Sequence, residues 1–222
     1  FFTQLFGLAN AGTSTAFYTK LSKRLEESSL IRFYWGLVFF IFLIVSLFVG
    51  AIFLINKQED IWIDQKPIFI FLGLFWGLLY FLNQIVQKII DAYGLTVSGE
   101  LAVIKINLIG LILLGCIFIL EKFSLLIFFS YHFLIFSLML IFWWRILKRN
   151  NVQLFPSEKL NKTLIKSYGE EFYHFSMPLF SYGILSFFLV FADRWFLQMF
   201  GGSTEQGLYS LSFKIGGLCF LF

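Results

Sequence analysis

Charge is what this sequence has least of. Asp, Glu, Lys and Arg together make up 14% of its 222 residues, whereas a soluble domain keeps roughly a quarter of its residues charged to cover its surface. A water-soluble globule is therefore excluded, and the solvent for most side chains is lipid. Proline (three), cysteine (two) and histidine (two) are also scarce. Cys116 and Cys219 each fall inside an apolar run, which argues against a disulfide framework or a metal cluster. A cleavable signal pattern is not visible. The net charge of +4 sits in short stretches between apolar runs rather than along one face, so no nucleic-acid partner is expected.

What is abundant is phenylalanine, 33 residues in a chain that is 59% hydrophobic. The first residue is Phe and the last falls inside an apolar run, which reads as a section of a longer protein. The apolar runs predict an all-α, polytopic transmembrane bundle. Segment one, about residues 1–19, carries Thr3, Gly7, Asn10 and Ser14 on one helix face; this is a helix-packing seam or a polar cavity wall. A basic loop with Lys20, Lys23, Arg24 and Arg32 follows. Segment two, Phe33 to Ile55, has no charge and is long enough for a hydrocarbon core of roughly 30 Å. The loop after it carries Glu59, Asp60, Asp64 and Trp62, the last placed as an interfacial aromatic. Segment three runs from Pro67, suited to a first helical turn, to about Ile90. The turn DAYGLTVSG then leads into segment four, about Leu101–Leu120. A short turn around Glu121–Lys122 leads on to segment five, about Phe123–Trp144. Lys105 lies one turn inside segment four, within reach of the surface. His132 stands alone in a Phe-rich span and reads as a packing residue.

The most basic stretch holds Arg145, Lys148, Arg149, Lys159, Lys162 and Lys166. Within it Leu160, Leu164, Tyr168 and Phe172 repeat every fourth residue while the lysines point away, the pattern of a helix lying on a membrane, with Pro156 and Ser157 as a start signal. Lys and Arg concentrate in the loops after segments one, three and five, so the loops around 20–32, 91–99 and 145–175 are expected in the cytoplasm. The domain reading is an N-terminal lobe of about five spans (1–149), a basic linker with an amphipathic interfacial helix (150–175), and the start of a C-terminal lobe with about two spans (176–222).

Residues 176–222 hold the chemistry. Segment six, about Ser176–Gly201, opens with Pro178 in its first turn and carries Asp193 and Arg194 at hydrocarbon depth. Tyr182, Ser186 and Asp193 line one face; Gly183, Arg194 and Gln198 line another about 100° round. Two such charges raise the cost of insertion by roughly 5–7 kcal/mol, so they face either helix partners or a cavity. Arginine's planar fork suits phosphate oxygens. After a Gly201–Gly202 turn, Lys214 shares a face with Gly207, Ser210 and Gly217, too deep for easy snorkelling.

The stretch SMPLFSYGILSFFLVFADRWFLQMFGGSTEQGLYSLSFKIGG resembles the seventh and eighth spans of Wzx-type oligosaccharide flippases, polysaccharide exporters of the multidrug/oligosaccharidyl-lipid/polysaccharide superfamily. The matching pieces are the proline, Ala192-Asp193-Arg194, Gly201-Gly202, and Gly207-Leu208-Tyr209-Ser210 followed by Lys214-Ile215. The first segment and its basic loop are similar to the family's second span. The resemblance implies a two-lobed MATE-like transporter fold of which this chain covers about spans two to eight, in a bacterial inner membrane. It implies no enzyme but a flippase that moves an undecaprenyl-pyrophosphate-linked oligosaccharide by alternating access. Arg194 and Lys214 would meet the diphosphate, with Lys105 a weaker candidate. Asp193 would orient Arg194 or bind a coupling cation (Na+ or H+); Asn10, Tyr182 and Tyr209 would contact sugar. No other cofactor is implied. Partners would be membrane lipid, the lipid-linked oligosaccharide diphosphate, a glycan polymerase and glycosyltransferases. Two rival readings stand beside it. One is a cation-coupled multidrug antiporter of the same superfamily, working through Asp193. The other is a membrane glycan polymerase or acyltransferase, for which His132 and His174 are the sole histidine bases.

Overall fold

The computed structural model describes residues 1–57, 61–62, 65–121, 123–157 and 160–218. Glu59, Asp60, Asp64, Lys122, Lys159 and Cys219 lie outside the described residues. Among those described, the chain is all-helical, with seven helices and no strand. They are α1 (Phe2–Asn10), α2 (Thr13–Leu21), α3 (Ser28–Leu54), α4 (Pro67–Ala92), α5 (Thr96–Ile119), α6 (Leu125–Arg149) and α7 (Lys162–Leu218). Four of them, α3 to α6, are long and apolar enough to cross a membrane, which makes this a multi-pass membrane protein.

The apolar pattern of α3 sorts into a core side and a lipid side. Leu30, Tyr34, Val38, Ile41, Val45, Val49 and Ile52 recur at steps of three or four and are buried. Phe39, Phe40, Leu43 and Leu47 on the other side are exposed, as acyl-chain contacts require. α4 sits at the centre, packed against α1, α2, α5 and α6. It buries residues on more than one face, Ile85, Ile89 and Ile90 completely. Gly73 and Gly77 let α1 come close: a Cβ at Gly77 would lie 2.9 Å from the Cβ of Phe2, and one at Gly73 would lie 2.9 Å from the Phe2 ring. Asn83 fixes α6 against α4 by donating to the carbonyl of Phe136 at 3.3 Å. His132 is a packing residue here. Its ring lies 4.7 Å from that of Trp76 and 4.2 Å from that of Phe128, and its Nδ1 is 3.0 Å from the Phe128 carbonyl.

Three expectations are corrected. Segment one is not one helix but two, α1 and α2, broken where Ala11 (φ 50°) and Gly12 (φ 75°) take left-handed conformations. Its small-residue face is split: Thr3 is part of a cavity wall, Asn10 and Ser14 bond to one another at the break, nothing lies within 4 Å of a Cβ built on Gly7, and the close helix approach falls at Gly73 and Gly77. The amphipathic stretch does not form a separate helix. It runs unbroken into segment six as the first part of α7, so Pro178 lies inside the helix rather than in its first turn. There it removes the N–H that would bond to the carbonyl of His174.

Candidate functional site

α7 contains one residue outside helical geometry, Gly202, at φ 78° and ψ 179°. Were the helix straight, residues 194 and 213 would be about 28 Å apart. Instead the Arg194 Cζ lies 5.8 Å from the centroid of the Phe213 ring. The chain therefore doubles back at Gly202, and α7 is a hairpin of two arms, 162–201 and 203–218. The positive φ is one that glycine adopts without a Cβ penalty, which is why the reversal sits on the second residue of Gly201-Gly202.

Folding the hairpin brings both cations into one place. Arg194 and Lys214, from opposite arms, line a cavity of about 480 Å³ together with Gln198 and Gln206. The opposite wall comes from α1 (Phe2, Thr3), from the segment before α4 (Trp62, Gln65), from the start of α4 (Ile70, Gly73, Trp76) and from Phe129 of α6. A smaller space of about 140 Å³, lined by Gln4, Arg194, Gln198, Gln206 and Ser210 among others, continues it. None of the described residues lining either space is a carboxylate. Neither Arg194 nor Lys214 has an ion-pair partner among the described residues. The guanidinium lies over the Phe213 ring, which is in turn stacked on Tyr209 at 6.2 Å. Two cations amid amide side chains and aromatic faces make a polar pocket suited to an anion, since guanidinium and ammonium groups supply donors and no acceptor.

The remaining candidate residues are scattered. Asp193, next to Arg194 but 100° round the helix, is exposed, lines neither space, and has no hydrogen-bond or ion-pair partner among the described residues. Tyr182 is exposed at 73% and stands on the surface of the first arm. Asn10 is buried and hydrogen-bonded at the α1–α2 break. Its Oδ1 accepts from Thr13 Oγ1 (2.6 Å) and from the Tyr34 hydroxyl (3.2 Å), and its Nδ2 donates to Ser14 Oγ (2.9 Å). It holds a broken helix in shape and lines neither cavity. Lys105 is at the far end of the bundle, in a different cavity with Ile146 and Arg149 of α6. Phe129 and Ile146 belong to the same helix and are about 26 Å apart along it, so Lys105 and Arg194 do not share a site.

No family model, curated protein or solved structure matches the chain.

Sequence reasoning missed Gln65, Gln206 and Trp76 as cavity residues, because they join Arg194 only through the folded hairpin. Gln198 carried a signal, since it lies one turn after Arg194 on the same face.

Toward the opposite end of the bundle, α2 and α7 are joined by paired charges. Glu171, on the first arm of α7, accepts from Lys20 Nζ at 2.6 Å and sits 3.6 Å from Arg24. The hydrogen bond from Lys20 holds the Glu171 carboxyl below the usual carboxylate value, the charges of Lys20 and Arg24 adding to this and partial burial opposing it. Next to it, burial pushes the Tyr168 hydroxyl up. It keeps its proton, donates to Glu27 at 3.1 Å, and meets Ser29 Oγ at 3.0 Å. Behind these groups Phe17 stacks on Tyr34 at 4.1 Å, and Phe172 lies 5.9 Å from Tyr34.

Proposed function

We propose that the protein is a membrane transporter that flips an oligosaccharide carried on an undecaprenyl diphosphate, in a two-lobed MATE-like arrangement of a bacterial inner membrane. The observation that supports this most is the convergence of Arg194 and Lys214, from two arms of one hairpin, on a single cavity with glutamines and no described carboxylate. A diphosphate carries its charge into hydrocarbon only where fixed donors replace its hydration. A volume of about 480 Å³ falls in the range that admits such a headgroup with an attached sugar. Gln65, Gln198 and Gln206 add amide donors and acceptors of the kind that sugar hydroxyls pair with. With Asp193 outside the cavity, the acid that a cation antiporter would use is not where the cations converge. In this reading Asp193 acts on a coupling ion at the helix surface.

The test is reconstitution of the full-length protein in liposomes with a polyprenyl-diphosphate oligosaccharide, its sugar scored for exposure on the far leaflet. Replacing both Arg194 and Lys214 with Gln removes two charge-assisted contacts of about 1.5 kcal/mol each, a loss of roughly a hundredfold in rate at limiting substrate. The unfolding midpoint of this variant stays near wild type, because neither cation has an acid to leave behind. Flipping at the wild-type rate rules out the phosphate role. Efflux of a cationic dye that depends on Asp193 instead would establish the antiporter.

A further inference from the structure

A second cationic cavity lies at the other end of the bundle, where α5 begins and α6 ends. Its volume is about 490 Å³, and Lys105, Arg149, Ser98, Asn150, Leu101 and Phe142 line it. We propose that it is a binding site for the headgroup of an anionic phospholipid from the surrounding bilayer, distinct from the Arg194–Lys214 cavity.

Four observations carry this. First, the cavity opens on the bundle's outer face. Leu101, Ile104, Leu108, Leu111 and Ile112 of α5 are all exposed there, so the neighbours of the site are acyl chains. Second, it sits at the level of the helix ends. Ser98 is in the first turn of α5, Arg149 is the last residue of α6 and Asn150 caps it, which is the depth of lipid phosphates rather than of hydrocarbon. Third, its charge is uncompensated: no described lining residue is acidic, and neither Lys105 nor Arg149 has an ion-pair partner among the described residues. Glu100, the nearest acid in sequence, is engaged by Gln87 at 3.1 Å. Fourth, side chains of a helix lean toward its N-terminus, so Lys105 reaches back toward Ser98 and Arg149 instead of deeper into the membrane. Two cations with hydroxyl and amide donors around them match a phosphodiester, and Leu101 and Phe142 match the first methylenes of its chains. A zwitterionic lipid brings an ammonium of its own to two fixed cations and is disfavoured by the same charges.

The full-length protein in a neutral detergent, titrated with phosphatidylglycerol or phosphatidylcholine, tests it by native mass spectrometry and by the thermal unfolding midpoint. Phosphatidylglycerol is expected to stay bound and raise the midpoint; phosphatidylcholine and inorganic phosphate are not. Lys105→Gln together with Arg149→Gln is expected to weaken phosphatidylglycerol retention by about ten- to thirtyfold. Both side chains are exposed or partnerless, so the variant folds. Lys23→Gln with Lys162→Gln removes equal charge from the same end outside the cavity and is expected to change nothing. Equal retention of the two lipids, equal loss in both double variants, or stabilisation by inorganic phosphate alone would each overturn the proposal.

Discussion

Two clusters of charge in the bundle are arranged in opposite ways. Where the basic loop after α2 meets α7, Lys20 and Arg24 are matched by Glu171, and Tyr168, Ser29 and Glu27 close a hydrogen-bonded chain over buried rings. At the Gly202 corner, Arg194 and Lys214 face open space with amides and no described carboxylate. Charge in the first cluster holds helices together. Charge in the second is left without a described acid, although a charge at this depth raises the cost of insertion; that is the contrast on which the proposed function rests. The two ends are joined by a polar knot at the α1–α2 break, where Asn10, Thr13 and Tyr34 share hydrogen bonds.

The contrast can be broken from the closed side, beginning where most is expected. Gly12 has φ +75°, and a Cβ there would lie 2.7 Å from the Cβ of Leu179 on α7. Gly12→Val combines a left-handed penalty of about 1–2 kcal/mol with overpacking of about 1–3 kcal/mol. Unfolding in mixed detergent is expected to show a loss on the order of 3 kcal/mol, and a loss below about 1 would mean that α7 is not seated at this crossing. Asn10→Ala strands the Tyr34 and Thr13 hydroxyls in a buried site, for about 1–3 kcal/mol; pairing it with Tyr34→Phe is expected to cost less than the sum of the two alone. Smallest is Glu171→Gln, about 0.5–1 kcal/mol, since the pair is partly exposed and screened. Its pH signature is sharper. Because the folded carboxyl is held below its ordinary value near 4.5, the stabilisation is present above that value and fades as pH falls through the lower folded one. Wild type is therefore expected to lose stability below about pH 4.5 more steeply than Glu171→Gln. Parallel curves would remove the ion pair from the account of the closed end.

Much of this was legible in the sequence where uninterrupted apolar runs exceed the hydrocarbon thickness. Segments two to five correspond to α3 to α6 within a few residues. α3 starts at Ser28 rather than Phe33 because its first turn is polar, and hydrophobicity cannot see helix outside the lipid. The Ala11–Gly12 break was not legible, because Asn-Ala-Gly-Thr has the composition of an ordinary small-residue patch. What decides it is Tyr34, 24 residues away. Pro178 misled for a related reason: a proline reads as a helix start, yet here the packed neighbours Tyr168 and Phe172 carry the helix through it. Arg194 and Lys214 were readable as deep cations, but their company was not. It depends on a reversal at Gly202 and on Gln65 and Trp76, more than a hundred residues upstream. Lys105 was grouped with them on charge alone, and a helix length separates it from them.

The uninterrupted first arm of α7 has a mechanical consequence. From Glu171 to the Leu179 crossing is about 12 Å along the axis, and from Leu179 to Arg194 about 22 Å. Leu179 sits against the bare backbone of Gly12, and Pro178 beside it breaks the backbone hydrogen-bond ladder at the same level. Were the arm to pivot at that crossing, a displacement at Glu171 would be roughly doubled and reversed at Arg194.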